Sequence, residues 1–252
     1  MNFLLKPIQK NLLKQKTSWL LLAFSLFPFI LIIASLFNTD FMQLKGMEKS
    51  LSCLDFISAI IYTQHQFIFP FIILAFIAST LFYDEIKSGR LIIFKDNSRT
   101  NILKSKRAAL FILFIMYFGL IIFSSTITYF IYIKTLPIAT QTFLPINNND
   151  TNKILLEILG YFLTELIGLS IALTVSIVLT SGYTILVTIF YQLLSMLAPS
   201  LNTIKYVFPN SYSNIYDSNN LFIIISIMMG ITFLSLLLSK QIAQILFKKI
   251  EY

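Results

Sequence analysis

Cysteine and histidine are almost absent from this chain of 252 residues, which has one of each, Cys53 and His65. A single cysteine cannot form an intrachain disulfide or a cysteine-based metal site. Zinc sites need several His, Cys or acidic ligands, so zinc-dependent proteolysis within the membrane is close to excluded. A Ser-His pair around His65 would need a turn that presents the serine, and no G-x-S-x-G-like turn occurs. We therefore expect no catalytic or metal site and interpret His65 as a polar interface residue.

Glycine is also scarce, and the positions of the seven glycines exclude one class of activity. An ATPase with a phosphate-binding loop needs the spacing G-x-x-x-x-G-K-[ST], whose backbone N–H groups bind the nucleotide phosphates. The glycines never occur at that spacing; they lie at positions 46, 89, 119, 160, 168, 182 and 230. The chain cannot hold ATP in this way, and we expect it to bind no cofactor itself.

Charged residues make up only 12% of the chain and hydrophobic residues 57%, with a mean hydropathy of +0.81. Soluble domains contain about 25% charged and about 45–50% apolar residues, so one soluble core cannot hide this much apolar surface. A net charge of +8 would suit a nucleic-acid binder, but such proteins place stacking aromatics on a solvated basic face. Here the aromatics lie inside apolar blocks. We expect a lipid bilayer as the environment and no nucleic-acid partner.

The apolar residues form long blocks, and about 20 residues in a helix match the roughly 30 Å thickness of the hydrocarbon core. Six blocks qualify: 17–37, 56–82, 108–133, 154–180, 183–198 and 221–239. Pro28 predicts a kink in the first block, because proline removes a helical hydrogen bond. No repeat or linker divides the chain. The sequence thus predicts an all-α integral membrane protein with six transmembrane helices in a single domain, residues 1–252.

The distribution of basic residues predicts the orientation of these spans. Fourteen of the nineteen Lys and Arg residues fall on one side if both termini and the segment 84–107 share that side. Basic residues are retained on the cytoplasmic side of spans, so we expect both termini in the cytoplasm. In an alternative with five spans, the region 181–198 is re-entrant and the last segment of the chain lies outside.

Three further segments have patterns that differ from plain loops. Residues 1–16 and 240–252 combine lysines with leucine or isoleucine at three- and four-residue spacing, which predicts interfacial amphipathic helices. For residues 1–16 the alternative is a merely basic tail. The segment 199–220 is too short for a domain and too apolar in places for a solvated loop. We expect it to re-enter the outer leaflet in part.

Two carboxylates in the fourth span, Glu157 and Glu165, are candidates for a transport pathway, because charge within a span is costly and usually faces protein or water. Glu157 lies within a turn of the expected outer surface, where a solvated helix end is the alternative. Glu165 is about eleven residues, or ~17 Å, into the span. It either meets a cationic or hydroxyl-bearing substrate or is a protonated or hydrogen-bonded structural carboxyl.

Small residues recur every four positions along the same span and form one ridge. The ridge begins with Gly160, Thr164, Gly168 and Ala172 and continues with Ser176 and Thr180. Such a ridge lets another helix approach closely, so it predicts a helix-packing surface. Spacing alone leaves open whether that surface meets the same chain or a second subunit. Glu165 is adjacent to the ridge, so burial at a helix contact is an alternative to a place in a pathway.

The segment 84–107 between the second and third spans is the densest basic stretch in the chain. Acids precede a short apolar run, a polar turn follows at Asp96-Asn97-Ser98, and a basic stretch leads into the third span. This order is typical of a helix-turn-helix at the membrane surface. Positive charge retained in the cytoplasm together with one interfacial helix is the simpler alternative, and spacing does not exclude it.

This segment resembles the coupling region of the permease subunits of type-2 ABC exporters. The matching residues are Glu85, Lys87-Ser88-Gly89, Leu91, Ile92-Ile93, Ser98-Arg99, Ile102-Leu103 and Ser105-Lys106. Arg90 stands where a Thr or Ser is usual, and the turn lacks the common proline. The similarity extends to the layout, with a basic N-terminal helix, six spans and short outer loops.

The resemblance implies a partner and a mechanism. A coupling helix after span two would dock on separate ATP-binding-cassette subunits, which bind ATP and Mg, and two identical or homologous permeases would form the pathway. The residues that would couple to the ATPase are Glu85, Lys87, Ser88, Gly89, Arg90, Arg99 and Lys106. The resemblance also implies a bacterial plasma membrane and a substrate such as an antimicrobial or other amphipathic or cationic peptide, a drug or a lipid-like compound.

Two functions from other classes stay open at this point. A membrane scaffold or immunity protein that works without ATP would tolerate reversal of the charges at Glu85 and Arg99. An intramembrane enzyme would need a polar catalytic cluster, and alanine at His65 would then abolish its activity. The absence of a phosphate-binding loop and the organised basic segment favour the exporter subunit.

Overall fold

The computed structural model describes residues 2–36, 48–94, 97–145, 148–217 and 220–250. Ten α-helices occur in this part: α1 Asn2–Lys14, α2 Lys16–Phe24, α3 Phe29–Leu36, α4 Cys53–Gln66, α5 Ile68–Ser79, α6 Glu85–Lys87, α7 Arg99–Ile131, α8 Asn148–Val175, α9 Ser181–Leu197 and α10 Leu221–Lys248. A π-helical turn, Thr80–Asp84, joins α5 to α6. The 3₁₀ helices are Arg90–Phe94, Ile133–Thr135, Ala198–Ser200 and Pro209–Asn214.

Five helical segments of the described residues are long and apolar enough to cross a membrane, and a bent pair makes a sixth. The five are Ile68–Lys87, Arg99–Thr135, Asp150–Val175, Ser181–Ser200 and Leu221–Lys248. The sixth is Lys16–Phe24 together with Phe29–Leu36. No strand occurs in the described part of the chain. The all-helical class and the presence of five to six membrane-length helices are thus as the sequence predicts.

Pro28 bends the first of these spans. The two helices α2 and α3 meet at 66°, with residues 25–28 in turns between them. Proline has no N–H to donate to the preceding turn, and its ring collides with the carbonyl four residues before it. The kink expected at this position is therefore a full break of the helix.

The block 56–82, which the sequence treats as one span, is two helices in the structure. α4 ends at Gln66, Phe67 is extended with φ −77° and ψ 100°, and α5 begins at Ile68. The reason is Pro70, whose ring excludes the helical position of the carbonyl of Gln66 four residues before it. At its start α4 is fixed by a capping box between Ser52 and Asp55. The membrane-length segment is consequently 68–87, and α4 precedes it as a separate helix.

The long helix α7 is the axis of the bundle. Its 33 residues span about 50 Å, and α1, α2, α3, α4, α8 and α10 pack against it. On α1, Leu4, Ile8 and Leu12 are buried in the main hydrophobic core, whereas the lysines are exposed. The segment 1–16 therefore forms the amphipathic helix that its spacing predicts. Its exposed face carries the positive charge.

The two ends of α7 define the two ends of the molecule. Near Arg99 lies the segment that joins α6 to α7, and we call this the turn end. Near Ile131, an isolated backbone bridge pairs Leu51 with Ala139, and we call this the bridge end. Tyr129 donates a hydrogen bond to the carbonyl of Leu51 at 3.0 Å and holds the bridge against α7.

Candidate functional site

The expected coupling segment lies at the turn end and is a compact turn. α6 ends at Lys87, Gly89 has φ +69°, and the 3₁₀ helix Arg90–Phe94 follows. A positive φ is accessible to glycine without strain, so Gly89 permits the chain to reverse here. The described residues of the segment contain no separate coupling helix of α type longer than α6. Where the sequence predicts a helix-turn-helix over 84–107, the described residues form a helix end, a tight turn, a 3₁₀ helix and the start of α7.

Four of the expected coupling residues are exposed on this turn. Lys87, Ser88, Gly89 and Arg90 face solvent, while Leu91 next to them is 3% exposed and packs into the core. A buried leucine beside exposed polar residues anchors the turn on the bundle. The four residues are therefore exposed on a turn that the buried side chain of Leu91 holds against the bundle.

Lys106 is buried and forms an ion pair with Glu85. Its Nζ lies 2.7 Å from Glu85 Oε2 and donates to the carbonyl of Leu81, also at 2.7 Å. The ammonium is 5.3 Å from the centroid of the Phe82 ring. Lys106 is 0% exposed, so it does not lie on the surface that a partner would contact. Its role is to join the helix before the turn to α7 after it.

Arg99 makes a second link at the turn end. Its Nη1 donates a hydrogen bond to the carbonyl of Lys248, at the last residue of α10. A cation at the C-terminus of a helix is stabilised by the helix dipole and by the carbonyls that have no helical partner. Arg99 therefore joins the start of α7 to the end of α10. A movement of the turn would displace both helices.

Arg107, which the sequence includes only among basic residues of the loop, is buried between three helices. Its Nη2 donates to Ser170 Oγ on α8 at 3.1 Å and to the carbonyl of Leu236 on α10 at 3.2 Å. Ser170 in turn donates to Ser239 on α10 at 2.5 Å. These contacts hold α7, α8 and α10 together, and all four residues lie within membrane-length segments.

Glu165 lies in a buried polar network between α4, α8 and α9. It is 6% exposed, and its Oε1 is 3.6 Å from Nδ1 of His65, which is 1% exposed. His65 contacts two residues of α9: Gln192 Nε2 is 2.9 Å from Nδ1, and Ser195 Oγ is 3.3 Å from Nε2. His65, one residue before the end of α4, is buried inside the bundle.

Ser195, His65 and Glu165 follow the order of a serine-hydrolase triad, but their hydrogen bonds oppose that function. Gln192 Nε2 also donates to the carbonyl of His65 at 2.9 Å, which fixes the direction of the amide. Nδ1 of His65 is then an acceptor, and Nε2 carries the proton and donates to Ser195. Histidine in this tautomer cannot take a proton from the serine. Ser195 is fully buried and donates to its own helix at Gln192.

The contact between Glu165 and His65 depends on one proton. With Nδ1 as an acceptor, a carboxylate at 3.6 Å would face it lone pair to lone pair. Because Nδ1 already accepts from Gln192, the contact is attractive only when the carboxyl group supplies the hydrogen. Glu165 thus lies buried at a helix contact, 3.6 Å from the ring of His65. Burial at a helix contact is the alternative that the sequence left open beside a place in a pathway.

The small-residue ridge on α8 meets elements of the same chain. A Cβ on Gly160 would lie 2.9 Å from Asn210 Cα and from the Pro209 carbonyl oxygen, and one on Gly168 would collide with Phe71 and Tyr191. The hydroxyl of Thr164 accepts a hydrogen bond from the backbone N–H of Asn210 at 3.1 Å. Ala172 is 1% exposed. The ridge thus receives the 3₁₀ helix Pro209–Asn214 together with side chains of α5 and α9.

The segment 198–217 folds back onto α8 at the bridge end. Asn210, Ser211, Tyr212 and Ser213 are all buried. Asn210 Nδ2 donates to the carbonyl of Ser195 at 2.9 Å and so joins this segment to the polar network. Gly160, its contact on α8, is about 18 Å along the axis from the start of that helix. The segment therefore reaches about halfway along the 28 residues of α8 rather than covering only its end.

Glu157 lies two turns before Glu165 on α8 and has a different environment. Its Oε2 accepts a hydrogen bond from Ser58 Oγ at 2.9 Å, and the residue is half-buried. It lines an open pocket at the bridge end together with the rings of Tyr62 and Tyr161. The two pathway candidates are therefore separated by Tyr161 and His65, whose rings are 4.9 Å apart. Glu157 is accessible from outside the bundle, and Glu165 is not.

Sequence reasoning did not single out Gln192, Ser195 or Asn210. Gln192 and Ser195 lie three residues apart in an apolar span, which places them on one helix face, and this spacing was a signal that a polar contact would be found there. Asn210 had no such signal, because its partners come from distant parts of the chain. No protein-family model, no curated protein and no solved structure matches this chain. Its function is therefore inferred from its own residues.

Proposed function

We propose that this chain is the membrane-spanning subunit of an ATP-driven exporter in the plasma membrane. It couples to separate ATP-binding-cassette subunits, which bind ATP and Mg, and it pairs with a second permease subunit, identical or homologous. The observation that carries the proposal is the exposed turn Lys87–Arg90, which is anchored by Leu91 and linked to α7 by the ion pair of Glu85 with Lys106. A surface built in this way can transmit a push into the bundle.

The contacts at the turn end give a path for that push. An ATPase that moves the turn would displace Glu85, and Lys106 would carry the movement into α7. Arg99 would carry it to α10 through the carbonyl of Lys248. Arg107 connects the same region of α7 to α8 and α10. Three membrane-length helices are thereby connected to one exposed turn of a few residues.

The second permease subunit has a face available. α9 and α10 are the membrane-length helices that are least buried, and large apolar side chains such as Phe190, Phe222 and Phe233 are more than 60% exposed on them. Lipid or a second permease covers this face in a membrane. The substrate class that accompanies the proposal is an amphipathic or cationic peptide, a drug or a lipid-like compound.

The test is purification of the tagged chain from its native membrane in mild detergent, followed by mass spectrometry of the proteins that stay bound. We expect a stoichiometric soluble subunit with a phosphate-binding loop. If the chain is isolated alone and also fails to bind a co-expressed ATPase, the proposal is overturned and the scaffold or immunity protein becomes the leading function.

A pair of charge reversals makes this test specific to the turn end. Arg90→Glu reverses an exposed charge on the turn, and Lys134→Glu reverses an exposed charge at the bridge end. Neither side chain is buried, so both variants should fold. We expect Arg90→Glu to lose the ATPase subunit and Lys134→Glu to retain it. Equal retention by both variants would show that the turn is not the docking surface.

A further inference from the structure

A polar pocket opens at the bridge end between α4, α8 and the segment 198–214. It consists of two adjoining cavities of about 300 Å³ and about 260 Å³, and both are lined by Tyr62, Glu157 and Tyr161. Their size is close to the lower limit of typical small-molecule sites, about 300 Å³. His65 and Asn210 line the smaller cavity, so its inner wall is the buried polar network. The exporter mechanism described above makes no use of this pocket.

The charge of the pocket is negative, although the whole chain has a net charge of +8. Asp55 and Glu157 line the larger cavity, and among the described residues no Lys or Arg lines either cavity. Asp55 is engaged in the capping box of α4. Glu157 accepts one hydrogen bond, from Ser58, and has no basic partner within the described part of the chain. Its carboxylate is thus oriented from one side and available on the other.

Two aromatic rings stand beside this carboxylate. The rings of Tyr62 and Tyr161 have centroids 5.9 Å apart and planes inclined by 56°, and Tyr62 is half exposed. The faces of such rings attract a cation that approaches within about 6 Å of the centroid. A cavity lined by a carboxylate and two aromatic rings is suited to an organic ammonium group. No group of three or more His, Cys, Asp or Glu side chains that could hold a metal ion occurs among the described residues.

Asn210 forms part of the inner wall of the smaller cavity. It is 3% exposed, and its Oδ1 has no hydrogen-bond partner among the described residues. The amide cannot turn to exchange its oxygen and nitrogen, because Nδ2 donates to the carbonyl of Ser195 at 2.9 Å. A buried acceptor without a donor costs free energy. Less than 1 Å² of this oxygen is exposed, so a ligand in the smaller cavity reaches it only if the side chains around it move aside.

We propose that this pocket binds a primary alkylammonium group, with Glu157 as its counter-ion and with Tyr62 and Tyr161 against its alkyl and charged parts. A primary ammonium has three donors, whereas a quaternary ammonium has none. The site therefore distinguishes the two kinds of cation. The proposal does not rest on the ATP-driven function, since this chain alone forms the pocket.

The experiment measures binding of n-butylamine, which is protonated near neutral pH, to the full chain in maltoside detergent by isothermal titration calorimetry. The buffer is phosphate, because Tris is itself a primary amine. Butan-1-ol is the uncharged comparison and tetramethylammonium the cation without N–H groups. We expect saturable binding of butylammonium and weaker binding of both comparison compounds. Equal binding of butan-1-ol would overturn the proposal, as would the absence of butylammonium binding.

Variants identify the residues. Glu157→Gln should weaken butylammonium binding roughly tenfold, because a charge-assisted contact is replaced by a neutral one. Asp150→Asn removes the same charge seven residues earlier on α8, outside the pocket, and should leave the affinity unchanged. Tyr62→Leu removes an exposed ring without disturbing the core and should weaken binding a few-fold, about what one cation–π contact provides. If Glu157→Gln and Tyr62→Leu both bind as the parent chain does, the ligand is elsewhere.

A final arm decides the source of the ammonium group. Phosphatidylethanolamine carries a primary ammonium on a lipid, and phosphatidylglycerol is a lipid without one. Competition with butylammonium by the former and not by the latter would identify a lipid headgroup. Absence of competition, with butylammonium binding retained, would identify a soluble amine such as a lysine side chain of a peptide. Failure of the ATPase test leaves every one of these measurements interpretable.

Discussion

The two ends of the bundle differ in whether a charged side chain has a counter-ion within the chain. At the turn end, Lys106 is fully buried but its counter-ion, Glu85, comes from the same chain. At the bridge end, Glu157 has no basic partner among the described residues and faces an open pocket. A charge that is neutralised within the chain serves as a mechanical link. A charge left without a counter-ion beside a cavity is positioned for a ligand.

The largest effect in this comparison is expected from breaking the pair at the turn end. Glu85→Gln leaves the ammonium of Lys106 buried without a counter-ion, and this should lower the free energy of unfolding by about 3 kcal/mol. For a chain of this size that corresponds to a fall in Tm on the order of 10 °C, measured by differential scanning fluorimetry in detergent. The double variant Glu85→Gln/Lys106→Met removes both charges and should recover most of the loss.

The control for this prediction is Lys104→Met, two residues earlier on α7, where the lysine is exposed. It should leave the Tm within about 1–2 °C of the parent value, because exposed charges contribute little. If Glu85→Gln is as harmless as Lys104→Met, the pair does not link the turn to α7.

A smaller loss of stability is expected at the bridge end, where packing rather than charge is decisive. In Gly160→Ala, the added Cβ meets the backbone of Pro209 and Asn210, which cannot move aside as a flexible side chain would. Overpacking of this kind should cost about 2 kcal/mol. Gly119→Ala on α7 is the matched control, since a Cβ there meets nothing within 4 Å. Equal thermal stability of the two variants would show that the segment 198–217 does not pack on α8 as described.

The smallest effect is expected inside the polar network. Glu165→Gln replaces the carboxyl by an amide that still has a donor for Nδ1 of His65, so the free energy of unfolding should change by less than about 1 kcal/mol. Glu165→Leu leaves His65 beside an apolar side chain and should cost about 1–3 kcal/mol. The two variants are compared by thermal unfolding of the purified chain. If Gln destabilises as much as Leu, the contact requires an ionised carboxylate.

The comparison between Glu157 and Glu165 shows how much of the site the sequence could predict. Both were recognised because a carboxylate in an apolar span is unusual. The ridge beside Glu165 was recognised from its four-residue spacing, and the structure fills it with elements of the same chain. Their different environments could not be predicted, since they depend on Ser58, His65 and Tyr62 from α4. Which helix faces which is a tertiary property with no local signal.

Pro28 and Pro70 show how much of the fold the sequence could predict. Pro28 and Pro70 both end a helix, but only Pro28 was used as a signal. The block 56–82 has no charged residue, so the sequence predicts one continuous helix there. Pro70, four residues after Gln66, instead marks the place where α4 ends. The sequence therefore does not predict that His65 is buried between α4, α8 and α9. An uncharged block longer than a bilayer needs should therefore be searched for a proline before it is treated as one helix.

The most direct test of the central claim is site-specific photo-crosslinking from the two ends in native membranes. A photoreactive residue replaces Ser88 on the exposed turn in one variant and Lys134 at the bridge end in the other, and crosslinked products are identified by mass spectrometry. The account predicts that the residue at 88 crosslinks to a soluble ATPase subunit with a phosphate-binding loop and that the residue at 134 does not. Crosslinks to an ATPase from 134 alone, or from neither position in membranes that contain the complete system, would contradict it.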